Sequence, residues 1–533
     1  MKRQVRKLRW SLAALWAALA LVLGTRAASA QEDAGADSQA AAATPAPSRS
    51  GDPIVQAILA ANPTTAAELT RAAGTLLELG ATDEAATLLK RLAAAQLDDA
   101  ALAALAEQFG TTPFLKFALA PDLQPEGRQI ADAVLAAANR QARDPARLAK
   151  LIEALKNSNP GLRRSAMLRL RSGRESAVQA LVAVLADPGR AAEHAVVREA
   201  LAGFGVEAIE PLLVLVRSAP PALAVQAIQT LEGLGSTDVA VRLLGPAWLE
   251  TSDAEVRAAA KQALATMLGR VPDVNESVAV LEKTARMYYD GRQKIEVDHD
   301  GQAVVWRWDS QKSELASEPV PAQVVTLDIA RDLAEAASQL APRNRAVGRL
   351  YLGALAEAAA YRAGEGEPLP KGPGTAWEVL SDQDAAVIEA LLEESLSKQH
   401  TAAAIVAVQV LGQSGKAEVL YRRSPQPSVL ISAVRHPDRR LRVAALEAIL
   451  GLKPSKPYPG SSFVVDALGY LAASFGAPKA LMADARPQEA DLMAGTLAAT
   501  GYETEVATTE RDTLARAIAS PDIEIALIDF SLA

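Results

Sequence analysis

Val434-Arg435-His436-Pro437-Asp438-Arg439-Arg440-Leu441-Arg442-Val443-Ala444-Ala445-Leu446 decides the fold of this chain. It reads as a Pro-Asp turn, then an apolar-Arg pair, then an Ala-rich helix, because Pro and Asp favour turns and Ala favours helix. Related openings recur upstream, at Leu162-Arg163-Arg164-Ser165-Ala166, Val196-Val197-Arg198-Glu199-Ala200, Ala224-Val225-Gln226-Ala227-Ile228 and Glu255-Val256-Arg257-Ala258-Ala259. Aligned on their third residues, Arg164, Arg198, Gln226 and Arg257 are separated by 34, 28 and 31 positions. Gly205, Gly235 and Gly269 close three of these helices, and a second apolar helix follows at Ala177–Leu185, Ala208–Val216 and Val239–Leu244. A two-helix unit recurring about every thirty residues is a solenoid period, in which each unit buries its apolar face only against its neighbours.

These units resemble HEAT repeats, in particular the short class called PBS-lyase HEAT-like. The resemblance covers about a third of the chain and implies a curved α-solenoid whose concave surface takes a protein or peptide partner. The repeated Arg could face an acidic ligand, but in such repeats it more often ties neighbouring units together, and that reading is preferred. The lyase of the class name adds nothing, because a fold analogy carries little functional weight.

Outward from the repeats the chain divides as follows. Residues 1–30 read as a signal peptide, with Lys2, Arg3, Arg6, Lys7 and Arg9 before the apolar run Ser11–Gly24 and the cleavage site Ala28-Ser29-Ala30. That apolar run is short for a membrane span. Residues 31–52, rich in Ala, Pro, Ser, Gly and Asp, read as a disordered linker. Residues 53–286 read as HEAT-like helices and 287–320 as a β-hairpin insertion. Its strands are expected at Lys294–Asp298 and Gln302–Trp308, around the tight-turn pair Asp300-Gly301, with Val304, Trp306 and Trp308 on the packed face. Residues 321–363 resemble a tetratricopeptide-type helix pair with its turn at Ala341–Asn344. Residues 364–478 read as a Gly/Pro-rich loop, Gly364–Gly374, and further HEAT-like helices.

The last segment, 479–533, alternates. Ala480–Ala483 and Glu503–Ala507 read as strands, Pro487–Ala499 and Thr509–Ser520 as helices, and Ile523–Ile528 as a strand running into Asp529. Such alternation predicts parallel strands with crossover helices, and open α/β sheets place their sites at the carboxyl ends of strands. The segment resembles the first half of a response-regulator receiver domain and reads as truncated. The resemblance implies that Asp529 is the phospho-acceptor and that Asp484, with Asp529, helps to hold Mg²⁺, since a hard cation needs several oxygens. Ala485 stands where the family has a second acid, and Ala533 where it usually has Pro. The expected module is therefore degenerate, without cofactor. The alternative is a phosphorelay protein phosphorylated on Asp529.

Composition narrows the rest. Half the residues are hydrophobic but only 4% aromatic, which suits closely packed helices, and zero Cys removes disulfides and thiolate metal sites. The net charge of −8 becomes −14 without the six cations of residues 1–30, which speaks against nucleic acid as partner. The four His do not cluster, and Asp298-His299-Asp300 adjoins a turn rather than forming a closed ligand set. No nucleophile-elbow, phosphate-loop or zinc-helix motif stands in a fitting context. As a whole the layout resembles multi-domain HEAT-repeat proteins of planctomycete-type bacteria. It points to an exported, non-enzymatic scaffold of the periplasm or cell envelope, with no stable membrane span once the signal is cleaved.

Overall fold

The structure, a computed structural model, describes residues 52–364, 367–422, 425–474, 476–530 and 532. The expected signal peptide, all but the last residue of the expected linker, and Ala533 lie outside the described residues. Asp52, the last linker residue, accepts a hydrogen bond from the Ile54 amide at 2.8 Å and caps the helix Pro53–Ala60. Among the described residues 25 α-helices outweigh two small sheets, so the protein is mainly α. No described helix is long and apolar enough to cross a membrane. The described residues form two compact units, 52–369 and 370–532.

The 52–369 unit holds two cores. The first runs from Val55 to Val134, with Phe114 and Phe117 fully buried edge to face, ring centres 6.0 Å apart. The second gathers residues from Leu148 to Ala358. It is built by four successive helix pairs: Pro160–Arg171 with Arg174–Ala186, His194–Ala202 with Ile209–Ser218, Pro221–Leu234 with Thr237–Trp248, and Ala254–Leu268 with Val274–Tyr289. Each presents an apolar stripe, and Leu181, Leu212, Leu231, Leu243 and Leu264 are completely buried. Local chemistry sets the ends. Asn159 and Asp253 cap their helices by accepting from the amides of Gly161 and Glu255. Gly235 and Gly269 end theirs in the left-handed conformation that costs glycine nothing. Gly205 also has positive φ, but it lies three residues past its helix, in a short 3₁₀ turn.

A hairpin follows, with different strands from those expected. β1 (Gln302–Asp309) pairs antiparallel with β2 (Glu314–Pro321), placing Trp308 opposite Leu315 and Trp306 opposite Ser317. Lys294–Asp298 is not a strand. The Asp298 carboxylate accepts from the amides of Asp300 and Gln302, so Asp300-Gly301 is a turn that leads into β1 instead of joining two strands. The joining turn is made by Asp309, which accepts from the amides of Gln311 and Lys312. Depth of burial separates the observed strands from Lys294–Asp298: Leu315 and Trp308 enter the core, whereas Ile295 packs against it only partly buried and Val297 stays 53% exposed. Trp306, Ala303 and Val305 pack partly buried against the same core. The helices Ala322–Leu340 and Arg345–Ala363 complete it through Leu327, Leu333, Val347 and Leu350.

In the 370–532 unit, Thr401–Gln413 and Arg439–Gly451 cross closely. A Cβ on Gly412 would stand 2.6 Å from the Cα of Ala448. After the helix Ser461–Leu471 come β3 (Lys479–Ala483), β4 (Glu503–Ala507) and β5 (Ile523–Ile528), all parallel in the order β4-β3-β5. β3 is central and buried on both faces. Ala480 and Met482 pack with Ala494 and Leu497 of the helix Pro487–Ala498, and Leu481 and Ala483 pack with Ala507.

Candidate functional site

Parallel pairing carries two acids to one edge of the small sheet. The Asp484 amide donates to the Ala507 carbonyl (3.2 Å), and the Asp529 amide donates to the Ala483 carbonyl (2.8 Å). Both carboxylates thus project just beyond the carboxyl ends of β3 and β5. They are bridged by Arg486. Its Nε and Nη2 donate to Asp484 Oδ1 and Oδ2 at 3.1 and 3.0 Å, and the same Nη2 lies 3.3 Å from Asp529 Oδ2. The Arg486 amide donates to Asp484 Oδ1 as well, at 2.9 Å. The fork geometry of a guanidinium suits two-point pairing with a carboxylate. Hydrogen bonding from Arg486 holds the Asp484 carboxyl below the usual Asp range.

As arranged, these residues do not fit a Mg²⁺ centre. The ion needs six oxygens in near-octahedral order, and here the two carboxylates are already bridged by a guanidinium of the chain itself. Sequence reading named Asp484, Ala485, Arg486 and Asp529 but gave Arg486 no role, because that role depends on the fold bringing residues 43 positions apart together.

The histidines form no cluster with carboxylates, and among the described residues no group of three or more His, Cys, Asp or Glu is placed to hold a metal. His436 Nδ1 accepts from the Asp438 amide in the Pro-Asp turn, and His194 Nε2 lies 3.2 Å from the Asp187 carbonyl.

The repeated arginines are mostly absorbed by structure. Arg198 donates to Gln226, its counterpart in the next pair. Arg257 donates to the Ser252 and Glu250 carbonyls of the turn before its helix. Arg163 does the same to Asn157 and Ser158. Counted from the capping residues Asn159 and Asp253, Arg163 rather than Arg164 is therefore the partner of Arg257.

A second cluster went unnoticed in the sequence. Arg242, with its side chain only 4% exposed, pairs with Glu210 at 2.7 and 3.3 Å, and its Nε, 3.9 Å from Asp238, has no hydrogen-bond acceptor. Burial works against the Arg242 charge, but Glu210 and Asp238 outweigh it and raise the pKa further. The pair stands between two cavities. One, of about 490 Å³, is lined by Arg242, Arg217, Asp332 and Glu335 over an apolar floor that includes Leu213 and Leu281. The other, of about 430 Å³, is lined by Glu210, Asp238, Glu207, Tyr288 and Trp306. The only hint in the sequence was a charge within each of the apolar runs Val239–Leu244 and Ile209–Val216.

No protein-family model matches this chain, and no curated protein does.

Proposed function

We propose that the protein is an exported helical-repeat scaffold that binds a protein or peptide partner. On this reading the helix pairs are HEAT-like repeats, and residues 479–533 are a receiver-like module that is not phosphorylated. The supporting observation is the 430 Å³ cleft, to which three successive helix pairs contribute in turn: Arg174 and Glu175, then Glu207 and Glu210, then Asp238. A groove built by equivalent ends of stacked units binds through distributed contacts rather than one reactive centre. Trp306, on β1, gives it an aromatic wall.

Photo-crosslinking tests this. A crosslinker at Trp306 in the full chain is expected to capture one discrete partner from envelope fractions, while the same group at the exposed Arg128 captures none. Equal background labelling from both positions refutes the scaffold reading.

The phosphorelay alternative makes an opposite prediction. With Mg²⁺ and a small-molecule phosphoryl donor, the wild-type chain is expected to take up no label. Uptake that Asp529→Asn abolishes would replace the scaffold reading with the signalling one. Arg486 supports the first outcome, since it already pairs with both acids and offsets one of their two charges.

A further inference from the structure

The last repeat-like unit breaks the pattern of the others. Arg439 pairs with Asp522 at 3.7 Å and Arg440 with Asp438 at 2.8 Å. Arg442 lies four residues after the capping Asp438, as Arg257 lies four after Asp253. Yet it donates to no turn carbonyl and meets no carboxylate among the described residues. It stands instead over the ring of Tyr470, 5.8 Å from its centre. Arg435 stands likewise over Phe463, at 4.4 Å, and it too has no carboxylate partner among the described residues. Both arginines and both rings line one shallow cleft of about 250 Å³, with Val434 at its floor and Asp466 as the single acid on its wall.

At these cation–π distances each guanidinium is held over a ring face while its N–H groups remain able to donate. The Tyr470 ring is itself anchored, since its hydroxyl donates to the Ser520 carbonyl at 3.1 Å. Two guanidinium groups against one carboxylate leave the cleft net positive on a chain that is acidic overall. We propose that this cleft is an anion-binding site that takes a carboxylate or phosphate group of an acidic peptide segment through Arg435 and Arg442. Bidentate, charge-assisted bonds to such oxyanions are what the planar fork does best. The volume suits one acidic side chain and not a folded surface. The proposal deepens the scaffold reading, naming its partner's chemistry at a second place.

The test is fluorescence anisotropy on the full chain with three labelled peptides of one length, bearing glutamate, phosphoserine or glutamine at the same positions. The glutamate or the phosphoserine peptide is expected to bind, and to bind more weakly as salt rises. Which of the two binds tighter identifies the source of the oxyanion. Arg435→Gln and Arg442→Gln are each expected to weaken binding at least tenfold, Arg442→Lys by less, and Phe463→Ala several-fold although it removes no charge. Arg128→Ala, which removes one charge from the other compact unit, should change nothing. Melting followed by circular dichroism confirms that each variant is folded. Equal binding of the glutamine peptide, or wild-type affinity in the Arg435→Gln/Arg442→Gln double variant, overturns the proposal, as does failure of both acidic peptides to bind. Crosslinking at Trp306 is independent of all these outcomes, so failure of the cleft and failure of the scaffold reading are told apart.

Discussion

Arg198 donates through Nη1 to Oε1 of Gln226, joining matching places in successive helix pairs across 28 residues. The bond turns a sequence periodicity into a physical rung. A half-buried hydrogen bond to a charged group contributes roughly 1.5–3 kcal/mol. Arg198→Ala and Gln226→Ala should each cost about that much in urea unfolding, and the double variant should cost clearly less than the two added together. Strict additivity would mean that the rung carries no coupling.

Arg242 and Glu210 make a different kind of pair, because one partner is buried and the other about a third exposed. Breaking a buried pair costs roughly 3–5 kcal/mol, mostly through the charge left behind. Glu210→Ala strands the buried guanidinium and is expected near the lower end, about 3 kcal/mol. Asp238→Ala removes only a partner 3.9 Å away and should cost under about 1 kcal/mol, as weak exposed pairs do. Chemical denaturation of the two variants side by side decides it.

Arg486 should make the stability of the C-terminal segment depend on acid. The Asp484 carboxyl is held below its ordinary value of 3.8, so the stabilisation is complete above that value and lost as pH falls through the lower, folded one. Arg486→Ala should melt earlier than wild type at pH 6, and the gap should close on acidification. A gap that stays constant with pH would show that the guanidinium acts only by packing.

Glu335 runs the other way. Burial pushes its carboxyl up, with Asp332 adding to the effect. Its charge then opposes folding above the folded pKa, and the penalty disappears once pH falls below the ordinary value of 4.5. Glu335→Gln keeps an acceptor for Gln339 and removes the charge. It should raise the melting temperature at pH 8 and leave it unchanged at pH 4.

At the Gly412–Ala448 crossing, a methyl group would meet backbone rather than a movable side chain. Gly412→Ala gains helix propensity but forces two helices apart, and overpacking of this kind costs roughly 1–3 kcal/mol. The net effect on thermal unfolding should be destabilising. A stabilised variant would show that the crossing has slack.

The sequence alone determined the local elements. Helices begin at Asn and Asp caps and end at Gly235 and Gly269 because the conformations required there are properties of single residues. Glu503–Ala507 and Ile523–Ile528 are strands at the residues where apolar character alternates or runs together, since strand and helix periods are written in neighbouring side chains. Only the tertiary structure decided the pairings. Whether β1 meets Lys294–Asp298 or Glu314–Pro321 depends on which of them buries its apolar side chain the more deeply in the core, and Leu315 does so where Ile295 is only partly buried. That Arg486 closes on Asp484 and Asp529, that Arg242 meets Glu210, and that Arg442 stands over Tyr470 while Arg257 bonds to the turn before its helix, are matters of distance in space. An arginine reads the same in every repeat of a sequence. What it binds is set by which partner the packed chain leaves within about 3 Å of its fork.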